Sequence, residues 1–371
     1  MKKIHITLLG SEVLPAYYTV PEFQPDITYI LGTSSTINEM ARLTKELKNE
    51  GWHFEERKTE PFDVLATIKI CEQIHEENGS ECEYIYNVTG GTKPMAIGAL
   101  LCAQQYNAKI VNTNSEFYLN LQNNAKTPLG LKMDLETIIA LQGQKIKNHF
   151  EYTPNPQRTQ CAEDIKEFIV NCRNTYSTLA NEYRKFHQIR REFNAQNPGI
   201  FYHKNGDRIN IEQNGIEVFS SEFKGAYKML FEGRWWETLV ADAVCKWAKG
   251  KYEIWTSVEF DQTSNQKEQN GKKNNNVKNE IDILVNLGNK LLVLECKSGK
   301  FEQENIYKLK AICKTYGSYK SNGVIVAFSK DNVKDYLKEK AVEEKVEILV
   351  PNDNFSNFEC ELNRIIKSSK S

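Results

Sequence analysis

Residues 280–300 read EIDILVNLGNKLLVLECKSGK, and the reading of this stretch decides the fold of the back half of the chain. Ile281, Ile283, Leu284 and Val285 make one apolar run, and Leu291, Leu292, Val293 and Leu294 make a second. Between them lies Asn286-Leu-Gly-Asn, residue types that accept the positive φ of a hairpin bend. Two short paired strands are expected. Strand side chains alternate faces, so Glu280 shares a face with Asp282, and Glu295 shares one with Lys297. Pairing of the strands would bring two carboxylates and one ammonium together in an otherwise apolar sheet.

Charges in such a place are costly unless they pair or hold a cation. A hard divalent ion takes oxygen ligands, and Mg²⁺ or Mn²⁺ suits Asp282, Glu295 and a backbone carbonyl such as that of Cys296. Such an ion acidifies bound water and neutralises charge on a phosphate under attack. Lys297 would orient that water or stabilise the pentavalent transition state. A cross-strand salt-bridge ladder on a solvated face accounts for the same spacing, and the pattern alone leaves both readings open.

The flanking segments narrow the choice. Upstream, residues 233–248 (GRWWETLVADAVCKWA) place Trp236, Leu239, Val240, Ala243, Val244 and Trp247 at helical spacing, with Glu237 beside that stripe. A strand at 252–260 follows; downstream of the hairpin come a Lys-rich helix and the apolar run 321–328, a buried strand. Helix with Glu, strand with Asp, strand with Glu-x-Lys, helix and strand is an order that resembles the PD-(D/E)XK nuclease core. The resemblance implies that Glu237, Asp282 and Glu295 are metal ligands and that Lys297 is catalytic. One departure is that Ile281, not Pro, precedes the Asp.

Composition sets the outer limits. A chain of 371 residues is long for one core and comfortable for two. With 40% hydrophobic residues and a mean hydropathy of -0.57, a soluble globular protein is expected. No apolar run reaches the roughly 18 residues of a membrane span, and the first residues read as a strand rather than a secretory signal. A net charge of -1 excludes a polycation, so nucleic acid must be met by local basic groups and metal. Nine cysteines without a close CxxC pair suit reduced thiols in a cytoplasm, and six scattered histidines argue against zinc chemistry.

Residues 1–146 alternate strands and helices: strands at 3–9, 27–31, 53–58, 83–88 and 109–113, helices at 36–50, 63–77 and from Pro94. That alternation predicts a parallel, doubly wound α/β sheet, whose ligands bind beyond the carboxyl ends of the strands. Gly10, Ser11, Thr33, Ser34, Ser35, Gly90, Gly91, Thr92 and Lys93 fall at that edge. Small residues, helix N-termini and one lysine make the chemistry of phosphate capture. The spacing fits neither GxxxxGK[ST] nor GxGxxG. A plain Gly-Gly turn with ordinary helix capping explains the same residues, and that alternative stands.

Residues 87–96 (NVTGGTKPMA), between a strand and a helix, resemble the signature of CARF domains (CRISPR-associated Rossmann fold), and the loop 9–12 (LGSE) fits that family too. The resemblance implies a two-fold dimer binding a cyclic oligoadenylate across its axis, with Gly10, Ser11, Thr33, Ser34, Gly90, Gly91, Thr92 and Lys93 as contacts. The expected division is a CARF domain at 1–146, a polar linker at 147–157 carrying Pro154 and Pro156, and a helical segment plus nuclease domain at 158–371. The helical segment, 158–197, bears Arg184, Lys185, Arg190 and Arg191, a solvated face or a nucleic-acid groove. Residues 201–219 suggest a small hairpin element. Residues 262–278 (QTSNQKEQNGKKNNNVK) read as a hairpin tip whose lysines suit phosphates.

Joined, the halves resemble the Card1/Can2 group of CRISPR ancillary nucleases. That resemblance implies activation by cyclic tetra-adenylate, Mn²⁺ or Mg²⁺ as cofactor, a cytoplasmic homodimer, and cleavage of single-stranded DNA, of RNA, or nicking of supercoiled duplex. The rival is a CARF-regulated nucleic-acid-binding protein without catalysis, in which Asp282 and Glu295 are structural.

Overall fold

A computed structural model of the chain describes residues 1–186, 196–197, 200–205, 207–261, 280–288, 290–317 and 321–368. The segment 262–278, Arg190 and Arg191 lie outside the described residues.

The first unit runs β1 (Lys2–Leu8), α1 (Leu14–Phe23), β2 (Ile27–Gly32), α2 (Ile37–Asn49), β3 (Phe54–Lys58), α3 (Val64–Asn78), β4 (Cys82–Asn87), α4 (Lys93–Gln105), β5 (Lys109–Thr113), β6 (Phe117–Asn120), β7 (Ala125–Pro128) and α5 (Leu135–Leu141). Its sheet has the order β3-β2-β1-β4-β5-β6-β7, parallel through β5 and closed by antiparallel β6 and β7. Helices cover both faces: α1, α2 and α5 pack on one, α3 and α4 on the other. The doubly wound α/β expectation is met. Sequence pattern hides α1, because Pro15 and Pro21 both fall within it. Pro15 occupies the first turn, where a missing N–H costs nothing. Burial of Tyr17, Tyr18 and Val20 outweighs the interruption at Pro21 near the end.

The second unit runs β8 (Ile146–Glu151), α6 (Pro156–Asn171), α7 (Arg173–Phe186), β9 (Gln196–Asn197), β10 (Ile200–Asn205), β11 (Arg208–Gln213), β12 (Ile216–Ser221), α8 (Ala226–Glu232), α9 (Arg234–Ala248), β13 (Glu253–Phe260), β14 (Glu280–Asn286), β15 (Leu291–Lys297), α10 (Gln303–Gly317), β16 (Asn322–Ala327), α11 (Asp335–Glu344), β17 (Val346–Leu349) and α12 (Phe358–Ser368). Its main sheet has the order β17-β16-β15-β14-β13-β8, antiparallel on the β8 side and parallel from β15 to β17. The hairpin read from residues 280–300 is present. The small element near 201–219 is an antiparallel sheet, β12-β11-β10-β9.

Two details differ from the sequence reading. The stretch expected as a bare linker opens as β8, an edge strand on β13, and closes as the first turn of α6. Pro154 and Pro156 mark the bend between the two, while the weak alternation of β8 is completed only by its neighbour. The helix expected over 158–197 breaks at Cys172, giving α6 and α7.

The two units share a core. One continuous apolar cluster runs from Leu43, Leu47 and Ile138 through Leu284 and Val293 to Leu309 and Tyr316. Polar bonds cross as well: Lys290 pairs with Glu116 at 2.8 Å, Asn286 donates to the Met133 carbonyl at 2.6 Å, and the Leu135 N–H donates to Glu253 at 3.1 Å. The bend of the β14–β15 hairpin is therefore held by the first unit.

His5 sits in β1 with no exposed surface, near Thr28 Oγ1 at 3.4 Å, and its Nε2 meets no partner. Burial lowers its pKa to about 3. The folded state thus disfavours the imidazolium, and the stabilisation is complete above pH ~6.5 and lost as pH falls towards 3. Denaturant titrations at pH 7 and pH 5 should differ by about 2 kcal/mol from this group. The difference should shrink by that amount in His5→Asn.

Candidate functional site

In the second unit, the register Ile283↔Leu294 sets Asp282 on β14 opposite Glu295 on β15. The Cys296 N–H donates to Asp282 Oδ2 at 2.6 Å, and Lys297 Nζ donates to Glu295 Oε1 at 2.7 Å. Helix α9 lies across the same strands. Gly233, at φ +81°, turns the chain from α8 into α9 in a conformation that side chains rarely adopt. Trp236 Nε1 donates to the Val326 carbonyl at 2.9 Å, and Trp235 and Trp236 flank Phe328. Those anchors fix the adjacent Glu237. Farther along α9, buried Asp242 accepts from the Tyr152 hydroxyl and from Thr159 Oγ1, tying the helix to the segment just after β8 and to α6.

Electrostatics make Glu237, Asp282, Glu295 and Lys297 one system. Burial, then Glu280 and Glu295, push Glu237 up to about 7 against the pull of Arg234 and Lys297. Burial raises Asp282 well above the carboxylate range, reinforced by Glu295 and Glu237 and opposed by the Cys296 N–H and Lys297. Burial opposes the charge on Lys297, but Glu295 at hydrogen-bond distance and Asp282 leave its pKa raised, so the ammonium is retained. Glu295 itself is 6% exposed. Carboxylates crowded at low exposure against one ammonium are under-compensated.

Among the described residues, no three His, Cys, Asp or Glu side chains are drawn into a ready metal cage. The donor chemistry nonetheless fits a hard divalent ion: oxygen donors, mutual repulsion among the carboxylates, and a second oxygen on Asp282 beyond the one bound by Cys296. A cavity of about 430 Å³ opens on Glu237 and Asp282.

Ser257 lines that cavity and escaped the sequence reading. It lies between the pairs Thr256↔Ile283 and Val258↔Ile281, across from Asp282, with φ +49°. The β13–β8 register shifts between Thr256 and Glu259, with Ser257 inside the shift, and serine carries no local sequence signal for it.

In the first unit, β2, β1 and β4 are neighbours, so the loops after them meet at one sheet edge. Gly10, Ser11, Thr33, Ser34, Gly90, Gly91, Thr92 and Lys93 are all brought to that edge, in different roles. Ser11, Ser34 and Lys93 are exposed. Thr33 is buried, with its hydroxyl on Ser35 Oγ at 2.8 Å. Thr92 caps α4 by accepting from the Met95 N–H and donates to the Pro61 carbonyl. The glycines are needed for backbone contact within the protein: a Cβ on Gly90 would stand 2.1 Å from the Leu8 carbonyl oxygen, and one on Gly10 would stand 3.0 Å from the Gly91 nitrogen.

Asn87 holds these loops, and the sequence marks it only as part of the 87–96 motif. Fully buried, it donates to Thr7 Oγ1, the Pro15 carbonyl and Thr19 Oγ1 at 3.1, 2.9 and 3.0 Å, and accepts from Thr89 Oγ1 at 2.6 Å. Asn87→Ala leaves those acceptors in a dry interior. Urea titration should show a loss of about 2–4 kcal/mol.

Residues 225–364 match the model of the Card1-like endonuclease domain. Residues 3–120 match the model described as HFX_2341_N-like, N-terminal. No curated protein matches the chain. Among solved structures, Can2 from Sulfobacillus thermosulfidooxidans in complex with cyclic tetra-adenylate superposes with a TM-score of 0.74 at 19% identity, covering 98% of this chain and 99% of that one. Protein VC1899 from Vibrio cholerae superposes at 0.73 with 16% identity, covering 99% of this chain and 98% of that one. A type III CRISPR defence DNA nuclease activated by cyclic oligoadenylate gives 0.56 at 14% identity, over 88% of this chain and 45% of that one. These likenesses establish the fold along nearly the whole chain. No helix among the described residues is long and apolar enough to cross a membrane.

Proposed function

We propose that this chain, of Card1/Can2 type in its endonuclease domain at residues 225–364 and in its fold, is a metal-dependent nuclease switched on by a cyclic oligoadenylate. The observation that carries the reading is the convergence of Glu237, Asp282, Glu295 and Lys297 inside the endonuclease-matched segment. Glu237, Asp282, Glu295 and the Cys296 carbonyl would hold Mg²⁺ or Mn²⁺. Such an ion supplies charge neutralisation and a more acidic water when bound. Lys297, kept protonated by Glu295 and Asp282, offers positive charge to the phosphate oxygens as negative charge develops. The substrates of this reading are single-stranded DNA and RNA, with nicking of supercoiled duplex.

Residues 1–146 are proposed as the sensing domain, with cyclic tetra-adenylate as activator because Can2 of the same fold holds that ring. Exposed Ser11, Ser34 and Lys93 are the side chains free to meet it, beside the backbone of Gly10, Gly90, Gly91 and the Thr33 and Thr92 turns. A homodimer is part of the reading. Phe62, Leu65, Ile97 and Leu101 are 84%, 74%, 49% and 47% exposed around α3 and α4, and α4 begins at the ligand loop. A second copy covering that face would bring both sets of loops together. Regulation follows from the shared core and from the Lys290–Glu116 clasp on the catalytic hairpin, provided the activator binds the active arrangement more tightly than the resting one.

The test is one gel series: labelled single-stranded DNA, RNA and supercoiled plasmid, each with cyclic tri-, tetra- or hexa-adenylate, in Mg²⁺ or Mn²⁺. Cleavage only with an activator and a metal is expected. Binding without any cleavage would put the non-catalytic rival first.

A further inference from the structure

The cavity in front of Asp282 and Glu237 holds more than the carboxylates require. Arg158 at the start of α6, Lys224 in the loop before α8, and Lys228 on α8 line it, all exposed. Among the described residues none of these cations is ion-paired, whereas Arg234 on the same wall is engaged by Glu232 at 3.2 Å. Three unpaired cations at the exposed side outnumber the exposed Glu151 there, and with the less exposed Glu237 and Asp282 behind them they suit a phosphate chain entering from outside. Phe150, on the free edge of β8, lines the same cavity and is 59% exposed. A large ring left in water beside a cationic wall has the composition of a base-stacking platform.

We infer that this cleft is a single-strand guide, in which Arg158, Lys224 and Lys228 hold backbone phosphates while Phe150 stacks on a base. Double helices keep their base faces covered by neighbouring pairs, so only an unstacked strand can lay a base on Phe150. A cavity of about 430 Å³ is of small-ligand size, with room for about one nucleotide. Arg158, Lys224, Lys228 and Phe150 are positioning residues, since none of them is among the groups placed at the reacting phosphate. The inference rests on the nuclease reading for what becomes of the strand at Asp282.

Strand binding is measured by fluorescence anisotropy in Ca²⁺ with cyclic tetra-adenylate present, so that its result stands whether or not the wild type cleaves. The probes are a labelled single strand, a duplex of equal length, and a single strand with abasic sites. Wild type should prefer the single strand to the duplex by about ten-fold or more. Lys224→Gln/Lys228→Gln should lower the slope of log affinity against log salt by about 1.4, from two lost phosphate contacts. Phe150→Ala should weaken the normal strand by about ten-fold yet bind the abasic strand as wild type does, and Phe150→Trp should restore the loss. Equal affinity for strand and duplex, an unchanged salt slope, or a Phe150→Ala loss of equal size on the abasic strand would overturn the guide. A wild type that binds the strand but cuts nothing in Mg²⁺ or Mn²⁺ would tell against the nuclease reading instead.

Discussion

Glu295→Gln should abolish cleavage and leave activator binding untouched. The side chain is nearly fully buried, faces Asp282 across the hairpin and holds Lys297 at 2.7 Å. Its amide isostere keeps the shape, removes one negative charge from the donor set, and leaves the Lys297 ammonium facing a neutral oxygen. Both the cation site and the orientation of the lysine are weakened together. Cleavage in Mn²⁺ or Mg²⁺ should fall by about 10³-fold or more. Thermal shift with cyclic tetra-adenylate should remain as in wild type, because the ring is proposed to bind at the edge of the other sheet. The fold should survive, since removing one of several crowded, under-compensated carboxylates relieves repulsion on Glu237 and Asp282. Wild-type cleavage in this variant would discard the Glu237, Asp282, Glu295 and Lys297 site altogether.

Gly90→Ala should have an effect of similar size by another route. A methyl group there would sit 2.1 Å from the Leu8 carbonyl oxygen, a distance that neither backbone can accept without moving. Leu8 ends β1 and Gly90 follows β4, so the shift would part the two loops that carry Ser11 and Lys93. We expect the activator-induced thermal shift to disappear and activator-dependent cleavage to fall by about 100-fold or more. Gly130→Ala is the matched control: its Cβ would meet Glu22 at an ordinary 3.6 Å and φ there is unexceptional, so activation should be unchanged. Normal activation in Gly90→Ala would move the activator site away from these loops.

Much of this molecule can be read from local pattern. Alternating strand and helix signals give the doubly wound first unit, and two apolar runs around Asn286-Leu-Gly give the hairpin on which Asp282, Glu295 and Lys297 sit. Strand periodicity also tells which of those side chains share a face. Such features are carried by the residues themselves, through φ preference, side-chain alternation and apolar spacing.

What the sequence could not decide depends on neighbours distant in the chain. β8 reads as a polar linker because an edge strand needs only one partner, and that partner, β13, is about a hundred residues away. Ser257 takes a left-handed backbone inside the register shift between β13 and β8, a place set by pairing and not signalled by serine. Gly90 resembles a ligand cradle in sequence, yet its missing side chain is first required by the Leu8 carbonyl. Residue type and spacing therefore single out the candidate groups Asp282, Glu295 and Lys297, because that information is local. Only tertiary packing decided which of them are buried, which hydroxyls are already committed, and that one apolar core joins the first unit to the hairpin, because burial and close approach exist only once remote segments meet.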